Sequence, residues 1–355
     1  MAVMTVSGPV PKEALGVTLP HEHFFIDVRW ACATTTEATG VALLEEPLTM
    51  RRLGALKRNP TVMKDNLFLS DPDLMAAEAM EFRKAGGRTI VDQSSVGTGR
   101  SPLAIRNLAN LAGINVVMGC GFYLHGGLPA TTIDETEAKL VQTVLEEIRF
   151  GVGDTGVRPG IIGEIGVRPS IEDWERKSLR VAAQAHRESG LPISIHVQAV
   201  PTIPGFTGEP NGLAVLDLLE EYGVRPDKVI ISHTDAKIHL DYMKAIMDRG
   251  AYAEFDHIGE EFYIDSADFH MASDMDRVQA LAELVGSGCV QRILISQDVC
   301  FKTDLVAYGG WGYGHILNNV VPMMLKRGIS RESIHTIMVS NPADLLDVES
   351  KHFQV

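Results

Sequence analysis

The sequence predicts a (β/α)8 barrel, on three observations. Short apolar runs rich in β-branched residues recur eight times along the 355-residue chain. Longer stretches with helical spacing and recognisable caps lie between them, the alternation expected of βα units. No GxGxxG follows any of the runs, so the usual mark of an open dinucleotide-binding sheet is missing. Barrels of this kind often exceed the usual domain size, so one domain over residues 1–355 is expected.

In chain order the expected strands are GVTLPHEHFFID (16–27), RTIVDQS (88–94), NVVMGCG (115–121), GIIGEIG (160–166), PISIHVQ (192–198), KVIISHT (228–234), AYAEFDH (251–257) and RILISQD (292–298). The stretch from about 29 to 70, with Pro47 and Pro60, is too long for one βα connection and is expected to fold over the barrel mouth as a partly helical insertion. Ser70-Asp71-Pro72 punctuates the start of LMAAEAMEFRKA, which stops at Gly86-Gly87, and Ser101-Pro102 starts LAIRNLANLA, which stops at Gly113. Ser170 with Asp173 resembles a capping box opening EDWERKSLRVAAQAHRE, and Gly190 closes that helix. GVGDTG (151–156) is a glycine-rich turn, and residues 299–316, rich in glycine and aromatics, form a second long segment after the eighth strand.

Composition narrows the function. With 45% apolar residues the chain has enough material for a large core, and a formal charge of −14 argues against a nucleic-acid partner, which needs a basic stripe. Cys32, Cys120, Cys289 and Cys300 show no CxxC spacing, so neither a zinc knuckle nor a disulfide framework is expected. The N-terminus has no basic segment followed by an apolar core, and no run approaches the roughly 18 residues needed to span a bilayer. A cytoplasmic protein that binds neither nucleic acid nor membrane is expected, with a homodimer as the default assembly.

In a strand, side chains at i and i+2 share a face, so His21 and His23 project together and Glu22 points the other way. Two such imidazoles can grip a divalent ion, or can simply be hydrogen-bonded histidines at a strand end. Four more metal-competent residues sit at equivalent places: Glu164, His196, His233 and Asp298, near the ends of the fourth, fifth, sixth and eighth strands. In a barrel those ends converge on one mouth, where active sites lie.

The segments LPHEHFFID, GIIGEIG, PISIHVQA, VIISHTD and LISQDV resemble the successive metal-ligand motifs of the phosphotriesterase family of the amidohydrolase superfamily. EEPLTMRRLGALKRN, KDNLFL and YGGWGYGHILNNVVPMMLKRGI are similar to its phosphotriesterase-related branch. The resemblance implies His21, His23 and Asp298 on a more buried metal, His196 and His233 on a more exposed one, and Glu164 bridging them. Many members bridge with a carbamylated lysine, whereas Glu164 is a permanent anion of shorter reach. Zinc is the default pair of ions, and manganese, cobalt or iron also suit these donors.

Two ions sharing a water lower its pKa from about 16 toward about 7, which makes a metal-bridging hydroxide available at neutral pH. Asp298 is the expected group to take the proton and pass it on. The expected reaction is hydrolysis of a carboxylic ester, lactone or N-acyl amide, with at most weak phosphotriesterase activity. A mononuclear deaminase is disfavoured because a bridging Glu164 needs a second ion, and a non-catalytic binding protein is disfavoured by the intact ligand set.

Substrate choice is expected from loops at the mouth. Tyr123, in a GFY segment similar to that of family lactonases, either faces the metals or packs under a lid. His257 contacts substrate or bonds locally. Trp311, Tyr313 and His315 follow the eighth strand, and His315 alternatively caps a helix. His125 and Arg100 are exposed-loop candidates for an anionic substrate group.

Overall fold

The structure, a computed structural model, describes residues 2–33, 38–201, 210–264 and 267–349. All eight apolar runs form strands: β1 (Thr18–Glu22), β2 (Thr89–Asp92), β3 (Asn115–Cys120), β4 (Ile161–Val167), β5 (Ile193–Val197), β6 (Val229–Ile231), β7 (Tyr252–Phe255) and β8 (Ile293–Ile295). They pair in parallel in chain order from β1 to β8, with helices on the outside.

The alternation of side chains places the core. Val91, Val117, Ile161, Ile230 and Leu294 point into the barrel and pack with Val3, Leu15 and Leu346, which close its floor. Their chain neighbours Ile90, Val116, Ile162, Ile231 and Ile295 point outward under the helices. A period of two in a sheet covered on both faces needs apolar residues at every position, which is why these runs are continuously apolar.

Between β8 and β1 side chains make most of the joint. Pro20 has no N–H to offer, and the β1–β2 register shifts between Leu19 and Glu22. Glu22 Oε1 accepts from Ser296 Oγ (2.7 Å) and the Gln297 amide (2.9 Å), and its Oε2 accepts from the Val299 amide (2.9 Å). The His21 amide donates to Ser296 Oγ (3.0 Å), and the Asp298 amide to the His21 carbonyl (3.1 Å). The carboxylate that strand geometry turns away from the histidine pair is thus the clasp of the barrel.

The insertion after β1 is partly helical, as expected. It holds the short helices Ala38–Leu44 and Leu53–Leu56 and several 3-10 turns, and Phe68–Leu69 returns antiparallel to Ile26–Asp27. One cap falls within the expected start and one differs. Asp71, the middle residue of Ser70-Asp71-Pro72, caps Pro72–Ala85, accepting from the amides of Asp73 and Leu74. Glu172, not Ser170, caps Asp173–Ser189 in a box with Glu175, because Glu172 is the last residue with extended backbone (ψ −177°). Among the described residues no helix is long and apolar enough to cross a membrane.

Candidate metal centre

The structure brings His21, His23, Glu164, His196, His233 and Asp298 together at the C-terminal ends of the strands. Glu164 sits between the histidines: its Oε1 lies 3.4 Å from His23 Nε2, and its Oε2 lies 3.0 Å from His196 Nδ1, 3.5 Å from His21 Nε2 and 3.9 Å from His233 Nε2. Asp298 Oδ1 is 3.2 Å from His23 Nε2 and 3.8 Å from His21 Nε2. His233 Nε2 and His196 Nδ1 face each other at 2.6 Å.

Local backbone explains how these side chains reach inward. His233 (φ 61°) and Asp298 (φ 48°) occupy the left-handed region, which ends their strands and turns the side chains over the mouth. Holding a non-glycine residue there costs on the order of 1 kcal/mol or more, so the surroundings must enforce it. Before Glu164, a Cβ on Gly163 would come within 2.7 Å of Ser194 Cβ, so only glycine lets β4 approach β5 closely enough.

A second set of groups orients the rings. His21 Nδ1 lies 3.0 Å from Glu254 Oε2 and 3.3 Å from Asp256 Oδ2. Asp256 also accepts from the His233 amide and pairs with His233 Nδ1 at 3.0 Å, while Ser94 Oγ stands 2.9 Å from His23 Nδ1. Carboxylates at Nδ1 fix the tautomer that leaves Nε2 of His21 and His233 free for a metal. Burial works against charge on both rings, yet Asp256 and its acidic neighbours hold both well above the usual histidine range. Burial would likewise raise the Glu164 carboxyl, and His196 with the other histidines keeps it well below the usual range. Burial and the neighbouring His233 lower His196.

The donor set fits divalent cations. His21 Nε2 and Asp298 Oδ1 are buried with no hydrogen-bond partner, an arrangement that is costly unless a cation engages them. One ligand atom each from His21, His23 and Asp298, and from His21, Glu164 and His233, falls within 4.8 Å of the others. Imidazole nitrogens and carboxylate oxygens are zinc-class donors.

Above this cluster lies a pocket with walls from Trp30, Leu67, Val200, Phe262 and Phe301. Tyr123 and His257 line it. The Tyr123 hydroxyl stands 3.2 Å from the His196 ring nitrogens. His257 is held through Nδ1 by Asp235 (3.1 Å), which is in turn paired with the fully buried Arg277 at 2.8 Å. Trp311, Tyr313 and His315 do not line this pocket. Trp311 is exposed and stacks on His315, and His315 Nε2 is 2.7 Å from Asp274. Tyr313 is fully buried, and its hydroxyl donates to the His23 carbonyl at 2.6 Å, so it steadies the ligand loop from behind. Arg100 does not occupy an exposed loop. Its side chain is buried and forks onto Glu147, with a further bond to the Gly119 carbonyl, and it does not line the pocket. His125 is exposed beside Trp174, outside the pocket.

Sequence reasoning missed Glu254, Asp256 and Ser94. The signal was present in AYAEFDH: two acids at i and i+2 in a buried parallel strand repeat the spacing of His21 and His23, and such acids must have partners.

A sequence model of the phosphotriesterase family matches residues 1–346. The chain belongs to the phosphotriesterase family. It is 36% identical over 349 residues to the N-acetyltaurine hydrolase of Salmo salar, covering 96% of both chains, and 33% identical over 349 residues to that of Homo sapiens, covering 97% of both. Among solved structures it is similar to a resiniferatoxin-binding protein from Rhodobacter sphaeroides (TM-score 0.91, 35% identity, 98% of this chain and 95% of that one). It is also similar to the phosphotriesterase homology protein from Escherichia coli with phosphate in its active site (TM-score 0.76, 27% identity, 94% and 99%). As a member of this metal-dependent family the chain is a hydrolase acting on small molecules, and the His/Asp/Glu groups at the barrel mouth are its candidate metal-binding residues.

Proposed function

We propose that the chain hydrolyses an N-acyl amide at a centre of two divalent ions. His21, His23 and Asp298 would hold the inner ion, His196 and His233 the outer, and Glu164 both. The observation that carries this reading is the convergence of all six side chains with His21 Nε2 and Asp298 Oδ1 left unpartnered. Bound there, the ions, zinc by donor preference, supply Lewis acidity and a nucleophile at neutral pH.

The chain's own residues supply the remaining parts. Asp298, whose carboxyl burial would raise but the neighbouring histidines hold below its usual range, is the group that accepts a proton beside the scissile bond. His257, oriented by Asp235, and the Tyr123 hydroxyl face the pocket as polar contacts, and the aromatic walls keep water out. The names of the curated relatives favour an amide over an ester or lactone.

The test is metal analysis with a hydrolysis screen of the metal-loaded protein on N-acetyltaurine and other N-acyl amides, lactones, aryl esters and phosphotriesters. Two ions per chain and chelator-sensitive amide turnover exceeding phosphotriester turnover are expected. Full activity with one ion, or turnover confined to phosphotriesters, overturns the reading. Ligand binding with no turnover of any class would instead support a binding role, the one named for the Rhodobacter sphaeroides relative.

A further inference from the structure

A second cluster of ligand-type side chains lies in the pocket wall and shares no residue with the six above. Ligand atoms of Glu260, Cys300 and Asp304 fall within 4.8 Å of one another. Glu260 is 8% exposed, and its Oε1 is buried with no hydrogen-bond partner, the same signature as His21 Nε2 and Asp298 Oδ1. Its backbone is held on both sides: the amide donates to the His257 carbonyl (2.9 Å), and its carbonyl accepts from Arg277 Nη2 (3.0 Å). Asp304 is fixed by the Cys300 and Phe301 amides, which donate to its Oδ2 at 3.1 and 2.7 Å. The three groups therefore face one another because the backbone imposes it.

Three acids so placed must carry protons or share a cation. Among the described residues no Lys or Arg forms an ion pair with any of them, and burial together with Asp304 pushes the Glu260 carboxyl well above its usual range. We propose that Glu260, Cys300 and Asp304 form a separate binding site for a borderline-soft divalent cation of the zinc class. One thiolate and two carboxylates suit such an ion, binding would displace the protons, and Glu260 and Cys300 line the pocket, which provides entry and an open coordination position. No Lys or Arg lies among the described residues lining the pocket, so an ion here would offset two of the three ligand charges and offer its open coordination position to a donor atom of the substrate.

The experiment strips the full-length protein with chelator and titrates it with Co2+, reading bound metal by elemental analysis and thiolate-to-cobalt charge transfer by absorption. The wild type is expected to show the charge-transfer band, Cys300→Ser to lose it, and Cys300→Ser and Glu260→Gln each to bind one equivalent fewer. A band that persists in Cys300→Ser, or the same equivalents in the wild type and the variants, overturns the site. Circular dichroism establishes that each variant folds, and either one is sufficient. The readout is a difference from wild type, so it holds whether the neighbouring centre takes one ion or two.

Discussion

Replacing Glu22 by Gln tests whether a side chain, in place of a strand ladder, closes this barrel and places Asp298. The carboxylate serves three buried donors: Ser296 Oγ and the Gln297 amide on Oε1, and the Val299 amide on Oε2. Glutamine can keep the first two through its carbonyl, but its amide nitrogen then confronts the Val299 N–H, donor against donor. Leaving one buried donor unpaired costs about 1–3 kcal/mol. Glu22→Ala strands all three donors and should cost about 3 kcal/mol or more by the same reckoning, a large part of the roughly 5–15 kcal/mol that holds a typical domain. Because Gln297 and Val299 flank Asp298, the damage should spread to the site. Denaturant midpoints should fall in the order wild type, Gln, Ala, amide exchange at Val299 should quicken in both variants, and turnover should drop at least tenfold. Wild-type exchange at Val299 together with a wild-type midpoint in Glu22→Gln would refute the clasp.

Four further outcomes follow from particular contacts. Asp298→Asn should cut turnover by orders of magnitude while largely retaining metal; unchanged turnover would remove Asp298 from proton transfer. Asp256→Asn, which weakens the hold on His21 and His233, should lower metal affinity about 10–100-fold in chelator competition. Arg277→Met removes the guanidinium that Asp235 and Asp274 share, leaving these carboxylates only histidine and backbone partners, and should destabilise by about 3–5 kcal/mol in denaturant titration, at a site with no direct contact to the six candidate ligands. Burial lowers the pKa of His186, which pairs with the Leu191 carbonyl at 2.7 Å. The unfolded chain therefore binds this proton first, so its contribution is complete above about 6.5 and is lost as pH falls toward the folded value. The unfolding midpoint of wild type should decline over that window more than that of His186→Gln, and parallel profiles would count against it.

The eight strands were legible because burial on both faces imposes continuous apolar runs, and helix ends were legible where Gly86, Gly113 and Gly190 stop them. The six candidate ligands were legible because equivalent strand ends converge in any barrel of this topology. The exact cap of Asp173–Ser189 was not, since Ser170 and Glu172 compete on geometry that only the backbone resolves.

The sequence by itself determined the barrel and its ring of candidate metal-binding side chains, because both follow from periodicity and the order of elements. Only the tertiary structure decided what those residues lean on. Glu22 clasps a segment some 275 positions away, Tyr313 spends its hydroxyl on the His23 carbonyl, and Arg100 is consumed by Glu147. Each depends on which distant groups come within hydrogen-bond reach, and a short-range pattern carries no record of a partner that lies far along the chain.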